Sequence, residues 1–201
     1  MPSKRKSDSN NMEVNDYTTI TFRISTPIVN TLRGESESNG TSLNSVVNQV
    51  LKRYVEWDEF EPQVGMIPFP KTVLHDIFSD MSEEQIIKLA TNVGKDTAID
   101  MAIFMKGRID VSGFISWIEM RMRNSDSQII HRVNGDAEHT VIIRHDLGRN
   151  WSSYLKVMLV SAITEVFKAQ VKDIILTDLM ISFVYKKNKG QSAEGFPGLP
   201  I

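Results

Sequence analysis

The chain has 201 residues, 41% apolar and 24% charged, with 11 Gly and 7 Pro; this is the composition of a folded protein and excludes the disordered and fibrous classes. Its 23 Lys and Arg against 25 Asp and Glu leave a net charge of −2, so whole-molecule charge offers no argument for nucleic acid. There are no cysteines, which excludes disulfides, thiolate metal sites, iron–sulfur clusters and a cysteine nucleophile.

Residues 1–16 are rich in Ser, Asn and charge, include the cluster Lys4-Arg5-Lys6, and read as a flexible basic arm without the apolar run of a secretory signal. From Thr19 to Ser25, Ile20, Phe22 and Ile24 alternate with Thr19, Thr21 and Arg23, the period of a half-buried strand. Thr26-Pro27 then opens a helix to about Asn39, with Ile28 and Leu32 facing inward and Gly40 as its stop. Ser42 caps a second helix, in which Leu43, Val46, Val47, Val50, Leu51, Tyr54 and Val55 recur at helical spacing. Residues 58–70 hold three prolines and three acids without a period and read as a linker.

A second domain is predicted over 71–186. Helical pieces run from Lys71 to about Phe78 and from the capping box Ser82-Glu83-Glu84-Gln85 toward Met105, and a third helix carries Val111, Phe114, Ile115, Ile118 and Met122. Gln128–Val133 and Glu138–His145 flank Asn134-Gly135-Asp136, the chemistry of a β-hairpin. Asp146-Leu147-Gly148 turns into an amphipathic helix carrying Leu155, Met158, Leu159, Ile163 and Phe167, and a last strand covers Ile174–Tyr185. Residues 187–201 form a Gly/Pro tail expected to be disordered. The longest mostly apolar stretch, Leu155 to Phe167, is too short and too polar to span a bilayer, so no membrane partner is expected and the protein is placed in the cytoplasm.

Of the four histidines, His131, His139 and His145 lie on or near the hairpin, where a metal or proton-sensing cluster is conceivable. No HExxH motif and no acid at ligand spacing accompanies them, so the expectation is no metal and no cofactor. Arg149 and Trp151 sit at a strand-to-helix junction that suits either an anion or plain turn chemistry. GxSxG, GxxxxGK and GxGxxG are all missing, and no enzyme activity is expected.

A short strand (Thr19-Ile20-Thr21-Phe22-Arg23-Ile24-Ser25), a helix carrying Pro27, Ile28 and Leu32, the turn Gly40-Thr41-Ser42 and a second helix with Ser45, Val46, Val47 and Val50 follow one another over residues 17–57. This segment resembles the ribbon-helix-helix family of prokaryotic DNA-binding regulators, MetJ-like and Arc-like. The resemblance implies a β-α-α head, which with the domain of helices, β-hairpin, helix and strand read from residues 71–186 makes an α+β chain. It also implies a homodimer or higher oligomer whose paired strands enter the major groove of double-stranded DNA, with Thr19, Thr21 and Arg23 on base edges. Ser42 and Asn44 would grip phosphate, and Lys4, Arg5 and Lys6 would add non-specific affinity. The implied function is a sequence-specific transcription regulator, of the repressor kind, in which 71–186 senses a small-molecule effector or strengthens oligomerisation. Two alternatives remain open: an antitoxin-like protein-interaction module, or a small-molecule-binding domain with a structural dimerisation head.

Overall fold

The computed structural model describes residues 18–107, 110–135 and 138–187. The Lys4-Arg5-Lys6 cluster, Asp136 of the expected turn and residues 188–201 of the tail lie outside the described residues. The chain divides into two compact units, residues 1–51 and 52–201.

In the smaller unit, α1 (Thr26–Ser38) begins at Ser25 as N-cap, with Pro27 in its first turn, where a missing N–H costs nothing. It ends at Gly40, whose φ of 60° is the left-handed conformation glycine adopts freely. The Thr41 N–H closes the turn onto the Ser36 carbonyl at 2.9 Å. The second helix, α2 (Leu43–Arg53), is capped by Ser42, whose Oγ accepts from the Ser45 N–H at 3.0 Å. Val46 and Ser36 are the buried side chains among the described residues of this unit.

Residues 18–25 form no strand. Ile20 and Phe22, which should lie on a buried face, are 65% and 59% exposed, and Ile28, expected to face inward, is 54% exposed. The ribbon-helix-helix head, and the α+β class defined by it, are therefore corrected. The period-2 pattern is present, but no neighbouring strand offers N–H and C=O partners, and alternation without a partner does not make a strand.

The larger unit opens with a π-helical turn, Tyr54–Asp58, that extends α2. Trp57 is buried there and donates its indole N–H to Glu61, while Phe60 packs edge-on against Phe104 at 6.2 Å. Next come α3 (Lys71–Ser79) and α4 (Glu83–Leu89). The capping box at the start of α4 is formed in full: Ser82 Oγ accepts from the Gln85 N–H and Gln85 Oε1 accepts from the Ser82 N–H. A second π-helical turn, Ala90–Gly94, joins α4 without a break to α5 (Lys95–Lys106). The next helix, α6 (Val111–Asn124), is capped by Asp110, whose side chain accepts from the Gly113 N–H at 2.8 Å.

β1 (Gln128–Asn134) and β2 (Glu138–Arg144) form the expected hairpin, and α7 (Gly148–Ser161) follows, extended by a third π-helical turn at Ala162–Val166. The predicted single strand over Ile174–Tyr185 is instead a second hairpin of β3 (Gln170–Leu176) and β4 (Met180–Lys186). Thr177 divides it: its N–H donates to the Met180 carbonyl at 2.9 Å and its Oγ1 accepts from the Leu179 N–H. The four strands make one antiparallel sheet in the order β1-β2-β4-β3. β3 is an edge strand with a register shift between Lys172 and Ile175, where Asp173 takes a φ of 52°. The larger unit is thus helical with a four-stranded antiparallel sheet near the C-terminus.

On one face of the sheet Val141 and Ile143 of β2 and Ile181, Phe183 and Tyr185 of β4 are fully buried. α6 packs beside β1, and α7 lies on β3 and β4. The core continues through Phe114, Trp117, Ile118, Leu155, Leu159 and Ile163, each side chain adding about 1.5–3 kcal/mol by its removal from water. No helix among the described residues is long and apolar enough to cross a membrane.

Candidate functional site

The residues expected to touch DNA are not assembled into a surface by any strand. Thr19, Thr21 and Arg23 lie exposed in the irregular segment 18–25, and Asn44 is exposed in the first turn of α2. The Ser42 hydroxyl, expected to bind phosphate, is occupied within the helix cap and also bonds to the Ser45 hydroxyl at 2.8 Å.

The histidines separate into two groups. His145 is buried beside Ser152: the Leu147 N–H donates to His145 Nδ1 at 3.2 Å, so the ring hydrogen sits on Nε2 and points to Ser152 Oγ at 2.8 Å. The Ser152 hydroxyl in turn donates to the Thr177 carbonyl at 2.7 Å. A serine beside a histidine suggests an activated nucleophile, but here the ring nitrogen that would have to accept the serine proton already carries one, and the other nitrogen faces a backbone N–H instead of a carboxylate. Burial lowers the His145 pKa, with Asp146 opposing, which keeps the ring neutral. This chain of bonds ties the start of α7 to the β3–β4 turn.

His131 and His139 come together across the first hairpin. His131 faces Val141 and His139 faces Val133 in the register, so the two rings are diagonal neighbours on one face. His131 Nε2 lies 2.9 Å from His139 Nδ1, and His131 Nδ1 lies 2.7 Å from Glu119 Oε1 on α6. The His139 ring stacks on Tyr185 at 4.6 Å with planes 12° apart. Burial lowers the His139 pKa, with Lys187 and His131 adding to the effect. Tyr185 Oη is buried without a hydrogen-bond partner, and burial, reinforced by Glu119 and Asp110, pushes its pKa up. The donors are joined in series and do not point at a common centre, so they do not suit a metal ion, and no metal-binding group of three occurs among the described residues.

The strand-to-helix junction is also committed internally. Arg149 donates to the Leu176 carbonyl at 2.7 Å, and Asn150 donates to the carbonyls of Phe78 and Met81. Asp146 binds Lys71 at 2.9 Å; that hydrogen bond holds the Asp146 carboxyl below, and the Lys71 ammonium above, their usual values. Trp151 packs against Phe78 at 4.7 Å and stacks on Tyr154 at 5.2 Å.

One charge in the core lacks an opposite charge. Arg121 of α6 sits partly buried with its guanidinium 5.5 Å from the centre of the Trp117 ring. Burial lowers its pKa, and Tyr154 alone among the described groups opposes this. Tyr154 is itself pushed up by burial, with Arg121 opposing. No carboxylate forms an ion pair with Arg121 among the described residues, whereas Arg53, Lys71, Lys95, Arg123 and Lys172 each hold one. The sequence carries a signal for this cation. Phe114, Trp117, Ile118, Arg121 and Met122 occupy i, i+3, i+4, i+7 and i+8, so a cation stands within an apolar stripe. A separate cleft of about 480 Å³ beside β3 shares no residue with this site, and its Lys172 and Glu138 pair with each other at 2.8 Å.

No family model and no curated protein matches the chain. Among the solved structures that resemble it are two H-NOX proteins. A single-substitution mutant of the T. Tengcongensis H-NOX, at 10% identity, covers 79% of this chain and 92% of its own with a TM-score of 0.43. A Cs H-NOX mutant carrying the unnatural amino acid 4-cyano-L-phenylalanine, also at 10% identity, covers 79% and 91% with a TM-score of 0.41. Both are H-NOX domains, and neither is a ribbon-helix-helix regulator. The missing strand over residues 18–25 corrects the reading of the chain as a DNA-binding repressor that pairs its ribbons as a homodimer on double-stranded DNA. At this identity, no side chain here takes a role from those proteins.

Proposed function

We propose that the larger unit is a non-catalytic, small-molecule-binding domain that takes a small organic anion at Arg121. The observation that carries this is the partly buried guanidinium, which pairs with no carboxylate among the described residues. A buried charge costs several kcal/mol unless it is paired, and one aromatic face returns only about 2 kcal/mol of that. An anion bound at Arg121 would supply the missing pair, and the planar guanidinium favours a carboxylate held by two parallel hydrogen bonds. Trp117 and Tyr154 beside it favour a ligand with a flat apolar body.

Isothermal titration with benzoate, citrate and inorganic phosphate, on wild type and on Arg121→Met, tests the reading. Wild type should bind a carboxylate and Arg121→Met should bind it at least tenfold more weakly, a difference of about 1.4 kcal/mol. The empty variant should be at least as stable as wild type, because an unpaired buried charge has been replaced by an apolar side chain. Binding of none of these anions by wild type, or undiminished binding by Arg121→Met, would overturn the reading.

A further inference from the structure

Glu119, His131 and His139 are joined end to end by contacts of 2.7 and 2.9 Å, and each contact has room for one hydrogen. With Glu119 ionised, His131 carries its hydrogen on Nδ1 and accepts at Nε2. His139 must then donate from Nδ1, which leaves its own Nε2 as the open acceptor of the chain. Both neutral rings are thereby fixed in a single tautomer, which neither would hold alone.

We propose that Glu119, His131 and His139 form a proton-binding relay that accepts one proton without rearrangement and a second only by breaking. A proton arriving at Nε2 of His139 allows the hydrogen on His139 Nδ1 to cross to His131 Nε2. His139 ends neutral, with its hydrogen on Nε2, and His131 becomes an imidazolium that donates to Glu119 on one side and to His139 on the other. One proton enters, no group is left unpaired, and the positive charge comes to rest beside the carboxylate. A second proton would set two N–H groups facing each other across 2.9 Å, so it enters only when that contact opens.

The surrounding groups favour this placement of charge. Burial and Lys187 both disfavour a cation on His139, whose ring is stacked on Tyr185. From α6, Glu119 faces His131 directly and is itself paired with Arg123 at 3.5 Å, while Asp110 lies at the start of the same helix. From β4, Tyr185 keeps its hydrogen, because burial disfavours the phenolate. Opening the contact would release the diagonal pair beside the end of the hairpin, where Asn134 faces Glu138. The relay uses none of the groups around Arg121 and does not depend on an anion there.

Histidine ring nitrogen NMR on the ¹⁵N-labelled full chain, from about pH 8 down to about pH 5, reads the relay directly. The expected result is an Nδ1–H tautomer at both rings at the high end, followed by uptake of one proton that moves both rings with a common midpoint. Any second uptake should coincide with loss of the ordered amide signals at the end of the β1–β2 hairpin. An Nε2–H tautomer of His131 at the high end would overturn the relay. Separate midpoints for the two rings, with one proton each and unmoved hairpin amides, would overturn it equally.

Discussion

The phenol oxygen of Tyr154 lies against the backbone of Gly94, 2.5 Å from where a Cβ would stand at that position, with two further ring atoms at 2.9 Å. Gly94 ends the π-helical turn between α4 and α5, and Tyr154 is held by Trp151 at 5.2 Å and Phe78 at 5.4 Å, so the ring has no easy way to move aside. Alanine in a helix interior gains about 1 kcal/mol over glycine, but overpacking costs about 1–3 kcal/mol. Gly94→Ala should therefore lose up to about 2 kcal/mol in urea unfolding. A midpoint at or above that of wild type would show that Tyr154 can yield. Tyr154→Phe in the same background should restore part of the loss.

Removing the Tyr185 hydroxyl should cost little. Its Oη is buried and makes no hydrogen bond, so Tyr185→Phe keeps the stacking on His139 and deletes a group whose desolvation nothing offsets. Thermal unfolding should show a melting temperature equal to or above that of wild type. A drop of several degrees would mean that the hydroxyl has a partner in solution.

Ser152→Ala should behave in the opposite way. The serine hydroxyl connects the buried His145 to the Thr177 carbonyl, and its removal leaves the buried His145 N–H without a partner and deprives the part-buried carbonyl of its donor. Such a loss costs about 1–3 kcal/mol, measurable as a lower urea midpoint. An unchanged midpoint would place water at the site and remove its structural weight.

Stability should fall as the solution is acidified below about pH 6.5, the ordinary histidine value. His139 and His145 are both held below that value, chiefly by burial. In the window between the ordinary and the lowered values, the unfolded chain binds protons that the folded chain refuses, so acid favours unfolding. Above the window the contribution is complete. Urea midpoints collected between about pH 8 and about pH 5 should decline through the window, and His145→Asn should decline less steeply. Equal slopes for variant and wild type would remove His145 from the account.

The parts of the fold that were legible in the sequence are those decided locally. The capping box at Ser82 and Gln85, the stripe of α6 and the turn at Asn134-Gly135 are each specified by a few neighbouring residues. Residues 18–25 have the periodicity of a strand, yet pairing depends on a neighbour that no local pattern supplies. The break at Thr177 was hidden because the apolar residues on either side read as a single run. Of the three histidines on or near the hairpin, the register brings His139 to His131 and leaves His145 to Ser152, a division that depends on contacts between elements. Glu119, Arg121, Tyr154 and Tyr185 matter through contacts between elements distant in the chain, and of these only the cation in the apolar stripe of α6 left a trace in the sequence.

The irregularity at Asp173 makes the two edges of the sheet unequal. The register shift in β3 and the bend at Asp173 interrupt the row of free backbone groups that an incoming strand would need, and the charges of Lys172 and Asp173 stand there as well. β1 pairs with β2 over seven residues without such a shift, and its outer edge keeps a regular spacing. Misassembly by edge-to-edge growth would therefore begin on the β1 side, and solubility during folding rests on how quickly α6 settles beside that strand.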